Sequence, residues 1–278
     1  MEEKAFFNGK IIDARQANLS ATSPAALYGA GLFESMRSRK GKIVYLSEHI
    51  QRLKRSAGLL GLAIPLSEQK IREQVRLLVG MNKLDDAYVR LTIWKNSEKR
   101  SDIFLRARKY KSLPKSKYAR GFSCMVSPLR QNEGSFLSQI KSTNYLFSLI
   151  AHTQSVKSGF DQAIILNNQG FVCEASRANI FLVKSKEIFT PGLESGCLDG
   201  ITRQAVLDIA KKEGIACNQV NFTLQDLYNA DEAFLTNSLI GIMPVNSVEG
   251  IKIALPRGTD SIVALLIKRY DKLLKNAR

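Results

Sequence analysis

Lys141 stands in SQIKSTNYLFSLIAH (138–152), a few residues ahead of a run that is largely apolar from Tyr145 onward and reads as a buried helix. Lysine is rarely buried unless something pairs with it, and burial lowers its affinity for a proton. The neutral amine that results is the nucleophile an aldehyde needs to form an imine. The plainer reading is a lysine that lies along a helix end and keeps its ammonium in water, so Lys141 needs companions. Glu174 ends an otherwise apolar strand in NNQGFVCEASRANIFLV (167–183). A carboxylate there could face a protonated ring nitrogen, although alone it reads more simply as an edge-strand glutamate turned to water. In LDGITRQAVLDIA (198–210), Gly200 comes directly before a helix that starts at Ile201 and Thr202. The N–H groups and dipole of such a start suit a phosphate, though many helices begin after glycine. DEAFLTNSLIGIMPV (231–245) leaves a strand into a polar turn of hydroxyl and amide side chains, and Arg52 in HIQRL carries a guanidinium able to clamp phosphate.

Together these residues offer an imine-forming amine, a counter-charge for a pyridinium and several phosphate donors. Those are the requirements of pyridoxal 5′-phosphate, whose ring acts as an electron sink.

The elements that must position them form an α+β pattern. Residues 3–13 and 42–46 read as strands, and SEHIQRLKRSAGLLG (47–61) as a helix with Ser47 at its N-cap. SEQKIREQVRLLVG (67–80) is a second helix, with Ile71, Val75, Leu78 and Val79 on one face. DAYVRLTIWK (86–95) alternates with period two, as a strand does. The basic stretch RARKYKSLPKSKYARG (106–121) reads as a solvated linker. Beyond it come strands at 121–127, 162–167, 170–174, 179–184 and 231–238, a helix at 200–214 and a closing basic amphipathic helix at 259–275. The expected organisation is a small N-terminal α/β domain (1–114), a linker (115–120), and a larger C-terminal domain (121–278) that carries Lys141.

The bulk properties remove several function classes. The chain has 278 residues, 45% hydrophobic and 24% charged, as in a soluble globular protein. The N-terminus has no apolar core for a signal peptide, and the longest apolar runs, such as VALLI (263–267), are too short to span a bilayer. Cys124, Cys173, Cys197 and Cys217 are scattered, which reads as reduced thiols in the cytoplasm. Two histidines and no clustered carboxylates make a metal site or a Ser-His-Asp site a poor fit, and His49 reads as a surface or capping residue. The formal net charge of +16 raises nucleic-acid binding, but the basic residues are dispersed and no RNA- or DNA-binding signature is present. Such a charge also draws anionic ligands to a cationic cleft.

Six ordered motifs resemble the fold-type IV pyridoxal-phosphate enzymes, the class IV aminotransferases. They are YGAGLFESMR (28–37), LSEHIQRLKRSA (46–57), IKSTNYL (140–146), CEASRANIFLV (173–183), TPGLESGCLDGITR (190–203) and ADEAFLTNSLIGIMPV (230–245). The resemblance implies a small α/β domain and a larger pseudo-barrel domain with the cofactor between them, in a homodimer. It places the cofactor-bearing, proton-moving lysine at Lys141 and the pyridinium-facing glutamate at Glu174. Phosphate contacts fall on Arg52, Ile201, Thr202 and Ser238, and substrate contacts with an anionic amino-acid-like molecule on Phe33, Arg90, Asn237 and Leu239.

Asn144 follows Lys141 by three residues, a register that resembles D-amino acid aminotransferases and 4-amino-4-deoxychorismate lyases rather than branched-chain enzymes. IKSTNYL, LDGITR and FLTNSLIGIMPV read most like the lyases. Arg90 in DAYVRL resembles the substrate-facing arginine of branched-chain aminotransferases and disfavours the D-amino acid enzymes. Ala30 replaces an acidic residue of many relatives, and IWKNSEKRSD (93–102) lacks the glycine-rich loop they carry there. A degenerate binding protein without turnover is the non-enzyme alternative.

Overall fold

The computed structural model describes residues 3–39 and 42–276, which form two compact units. The first takes the chain up to Lys111 together with Ile140–Asn144; the second takes Ser112–Gln139 and Tyr145–Asn276.

The first unit is a six-stranded antiparallel sheet in the order β2-β1-β6-β5-β3-β4. Its strands are β1 (Lys4–Phe7), β2 (Lys10–Asp13), β3 (Gly31–Arg39), β4 (Lys42–Ile43), β5 (Asp86–Lys95) and β6 (Ser101–Lys109). The helices are α1 (Pro24–Tyr28), α2 (Leu46–Leu59) and α3 (Glu68–Met81). Strand alternation decides which face is dry. Leu32 and Met36 of β3, Val89, Leu91 and Ile93 of β5, and Ile103 and Leu105 of β6 share a core with Ile50 and Leu53 of α2 and Ile71, Val75 and Leu78 of α3. The other face carries Phe33, Ser35 and Arg37 opposite Thr92, Arg90 and Tyr88. Ser67 caps α3 by accepting from the Lys70 N–H.

Several expectations need correction here. Residues 3–13 are two strands joined through Asn8 and Gly9, both at positive φ. Helix α2 starts at Leu46 after Tyr45 in the left-handed region, and Ser47 instead accepts from Arg72. The basic stretch is no linker. Its first residues complete β6, with Ile103, Leu105 and Ala107 turned to the core, and residues 115–120 form a helix, α4 (Lys115–Arg120), in the second unit. Asp161 holds that helix through Lys117 and Arg120. Lys141, expected in the C-terminal domain, lies in the first unit because 140–144 pairs with β3. Leu32 bridges Ser142 antiparallel, and the Thr143 N–H donates to Gly31 O at 2.9 Å. A Cβ on Gly31 would stand 2.7 Å from Ile93 O, so only glycine admits this approach.

The second unit is a nine-stranded mixed sheet in the order β12-β11-β10-β13-β14-β7-β8-β9, with β15 paired to β14. The strands are β7 (Phe122–Gln131), β8 (Gln162–Asn167), β9 (Val172–Ala175), β10 (Asn179–Lys184), β11 (Glu187–Thr190), β12 (Cys217–Gln219), β13 (Glu232–Asn237), β14 (Gly241–Val248) and β15 (Ile251–Lys252). Its longer helices are α5 (Leu146–Lys157), α6 (Ile201–Lys212) and, after the short α7 (Leu224–Tyr228), α8 (Ile262–Asn276). Ile164, Ile180, Leu182, Leu235, Met243 and Val245 form its core. The buried helix expected from Tyr145 onward is mostly not buried. Of α5, only Ala151 and Ser155 are buried, while Leu146, Leu149, Ile150 and Val156 are exposed. Beside the buried Ala151, the half-buried Phe147 packs against Ala163 and Ile165 of β8, while the larger aliphatic residues of the helix stay open.

Candidate active site

In the first unit, Lys141 is half-buried and fixed by its backbone: its carbonyl accepts from the Phe33 N–H at 2.9 Å. This pairing puts the two side chains on one face, and the Lys141 Nζ stands 4.5 Å from the centre of the Phe33 ring. The Arg90 guanidinium is 3.8 Å from the same ring centre, and its Nε donates to Thr92 Oγ1 at 3.2 Å. A buried aromatic ring thus locates the Lys141 amine and the Arg90 guanidinium together. The KSTN segment is also locked to the loop before β3, since Thr143 Oγ1 donates to Gly29 O and Asn144 Nδ2 to Tyr28 O.

Arg52 lies on the opposite face of β3, under α2. Its Nε and Nη2 donate to the two carboxylate oxygens of Glu34 at 2.8 and 2.6 Å, and His49 Nδ1 lies 2.7 Å from Glu34 Oε2. Glu34 and His49 are each 1% exposed and Arg52 is 5% exposed. Burial alone would raise the Glu34 pKa, but Arg52 and His49 outweigh it and hold the carboxyl down at about 2. His49 is therefore neither a surface nor a capping residue. The sequence reading missed Glu34, although a carboxylate in step with Leu32 and Met36 on a core-facing alternation was the signal for it.

The remaining predicted residues lie in the second unit. Glu174, half-buried at the end of β9, accepts from the Leu198 N–H at 3.2 Å, which ties it to the segment leading into α6. Gly200 is the N-cap of α6, with no side-chain cap bond. A Cβ there would stand 1.9 Å from Asn179 Oδ1. Thr202 is buried, and among the described residues its Oγ1 has no hydrogen-bond partner; neither does Thr236 Oγ1 at the end of β13. A buried hydroxyl without a partner costs about 1–3 kcal/mol. At the start of a twelve-residue helix that has no side-chain cap bond it fits an anion. Ser238 lies half-buried in the turn after β13. The Asn237 side chain builds that turn: Oδ1 accepts from the Leu239 and Ile240 N–H groups, and Nδ2 donates to Arg177 O.

A family model for amino-transferase class IV matches residues 31–248, most of the chain. The chain belongs to the class IV aminotransferases. It is 31% identical to the aminodeoxychorismate lyase of Bacillus subtilis over 98% of this chain and 94% of that protein. It is 30% identical to the branched-chain-amino-acid aminotransferase of Pseudomonas aeruginosa over 91% and 87%. Among solved structures, the branched-chain aminotransferase of Thermoproteus uzoniensis superimposes with a TM-score of 0.91 at 28% identity, covering 100% of this chain and 96% of that one. The α+β fold read from the sequence is thus the fold of class IV aminotransferase structures. The protein is an enzyme, and the reading as a binding protein without turnover falls away. No helix among the described residues is long and apolar enough to cross a membrane.

Proposed function

We propose that this class IV aminotransferase uses pyridoxal 5′-phosphate to eliminate pyruvate from 4-amino-4-deoxychorismate, giving 4-aminobenzoate for folate synthesis. The observation that carries the cofactor is the unpartnered Thr202 hydroxyl at the uncapped start of α6, in a chain that also fixes a lysine amine over an aromatic ring. When bound, the cofactor supplies a ring that withdraws electrons from the carbon bearing the substrate's amino group. Lys141 Nζ would hold the cofactor, and the same amine would move the proton at the substrate carbon that bears the amino group. The enolpyruvyl ether on the neighbouring carbon leaves and tautomerises to pyruvate. Glu174 keeps a proton on the ring nitrogen by placing negative charge beside it. Ile201, Thr202, Ser238 and Arg52 hold the phosphate, and Arg90, with Phe33, Asn237 and Leu239, receives the anionic substrate.

Support for lysis over amino transfer comes from the sequence details of IKSTNYL and FLTNSLIGIMPV and from the near end-to-end match to the Bacillus subtilis lyase. The second reading is branched-chain amino transfer to 2-oxoglutarate, favoured by the Pseudomonas aeruginosa relative and the Thermoproteus uzoniensis structure. D-amino acid transfer ranks third. We place the enzyme in the cytoplasm as a homodimer. The exposed Leu146, Leu149, Ile150 and Val156 of α5 support association, which sedimentation would test.

The deciding experiment offers cofactor-loaded protein aminodeoxychorismate, L-leucine with 2-oxoglutarate, and D-alanine with 2-oxoglutarate. Pyruvate and 4-aminobenzoate from the first, with at least a hundredfold lower turnover of the others, is the expected result. Glutamate formed chiefly from L-leucine would replace lysis with amino transfer.

A further inference from the structure

Arg52 is proposed above to hold phosphate, and what fixes Arg52 itself is visible in the first unit. A guanidinium is a rigid planar fork with five N–H donors. Glu34 accepts from two of them, Nε and Nη2, at 2.8 and 2.6 Å. The directions of the other three are thereby set. His49 Nδ1, at 2.7 Å from Glu34 Oε2, braces the carboxylate from the same helix one turn earlier. This arrangement costs more than an apolar core would, because a buried ionic cluster rarely repays the desolvation of its members. A device that expensive at 1% exposure suits a position where direction matters more than stability.

Glu34 also follows Phe33, whose N–H bonds the Lys141 carbonyl and whose ring sits beneath the Lys141 Nζ. Adjacent residues of β3 therefore anchor the amine on one face of the sheet and the guanidinium on the other. We infer that Glu34, braced by His49, is a positioning residue for the cofactor phosphate, acting through Arg52. This inference rests on the phosphate reading of Arg52.

The test compares the affinities of pyridoxal 5′-phosphate and pyridoxal, by titration of apoprotein, in wild type, Glu34→Gln, Arg52→Ala and the double variant. The ratio of the two affinities isolates the phosphate. Glu34→Gln should lower that ratio at least tenfold, and Arg52→Ala should lower it at least as far. The double variant should match Arg52→Ala alone, since Glu34 then has nothing left to aim. A normal ratio in Glu34→Gln alongside a lowered one in Arg52→Ala overturns the positioning role and leaves the phosphate reading standing. A normal ratio in Arg52→Ala overturns both. Should Glu34→Gln fail to fold, Glu34→Asp carries the comparison, keeping the charge but shortening its reach. Selective loss of the phosphorylated ligand then supports the inference, and equal loss of both ligands overturns it.

Discussion

The two units differ in how they treat buried polar groups, although the first also holds one, Ser38 Oγ, that has no hydrogen-bond partner among the described residues. In the first, Glu34 sits in an apolar core with three donors around its two oxygens, and Lys141 and Arg90 both rest against the Phe33 ring. In the second, Thr202 Oγ1, Thr236 Oγ1 and Arg203 Nε are buried with no partner among the described residues. Arg203 Nη2 donates to two neutral oxygens, Pro191 O and Gln219 Oε1. Buried polar groups in folded proteins are nearly always satisfied, so each exception asks for a reason. The first unit has its chemistry already organised. The second keeps donors in reserve, as a binding site does before its ligand arrives. Each prediction below acts on one side of that contrast.

The largest effect belongs to Lys141. Lys141→Ala removes the proposed point of covalent attachment and the proposed proton carrier, so turnover should fall on the order of 10⁴-fold or more. The backbone carbonyl that pairs with Phe33 survives the substitution, so the fold should hold. Borohydride treatment followed by peptide mapping should find cofactor on residue 141 of the wild type and on no lysine of the variant. A labelled lysine elsewhere in the variant would end the assignment.

Glu34 offers a pH test. Its folded pKa of about 2 lies below the 4.5 of an unperturbed glutamate. A depressed pKa contributes stability that is present above the unfolded value and lost as pH falls through the folded one. The contribution, about 3 kcal/mol at neutral pH by linkage, should therefore decay between pH 4.5 and 2. Urea unfolding of wild type and Glu34→Gln at pH 5.5 and pH 3 isolates it from the other carboxylates. The stability gap between them should narrow at the lower pH; a constant gap would mean that Glu34 is not held ionised.

Glu174 comes next. Glu174→Gln keeps the shape but loses the charge expected to keep a ring nitrogen protonated. Turnover should fall about a hundredfold, or 2.7 kcal/mol, with only a modest change in cofactor affinity. Loss of cofactor with normal turnover in the remaining holoenzyme would make the residue structural, a role its bond to the Leu198 N–H already permits.

How much of this was legible in the sequence differs between the units for physical reasons. Regular alternation gave β5 (86–95) to the residue, and the apolar face of Ile71, Val75, Leu78 and Val79 gave α3 to within a residue, because both signals are local. Strand β6 was hidden by composition: Arg106 and Arg108 on its outer face made a core strand look like a linker. Lys141 was singled out on the strength of the wrong neighbour. The apolar helix that drew attention to it lies largely open, and the contact that locates the amine comes from Phe33, 108 positions earlier in the chain. Apolarity says that a surface needs a partner without saying which one. Glu34 was missed because its partners come from α2, on the far side of a turn, and only a carboxylate in a core-facing step betrayed it.

The smallest effect is the one that tests the reserve of the second unit most directly. Thr202→Val is close to isosteric and removes a hydroxyl that has no partner among the described residues. In apoprotein the substitution should be neutral or stabilising by about 1 kcal/mol, because a buried unpaired oxygen disappears and a methyl group takes its place. In the presence of ligand the sign reverses. One charge-assisted hydrogen bond to phosphate is lost, so affinity for pyridoxal 5′-phosphate should fall about tenfold, or 1.4 kcal/mol, while affinity for pyridoxal stays level. Thermal unfolding with and without cofactor reads both signs in one experiment. Apoprotein destabilised by the valine would show that the hydroxyl already has a structural partner, and unchanged cofactor affinity would place the phosphate away from the start of α6.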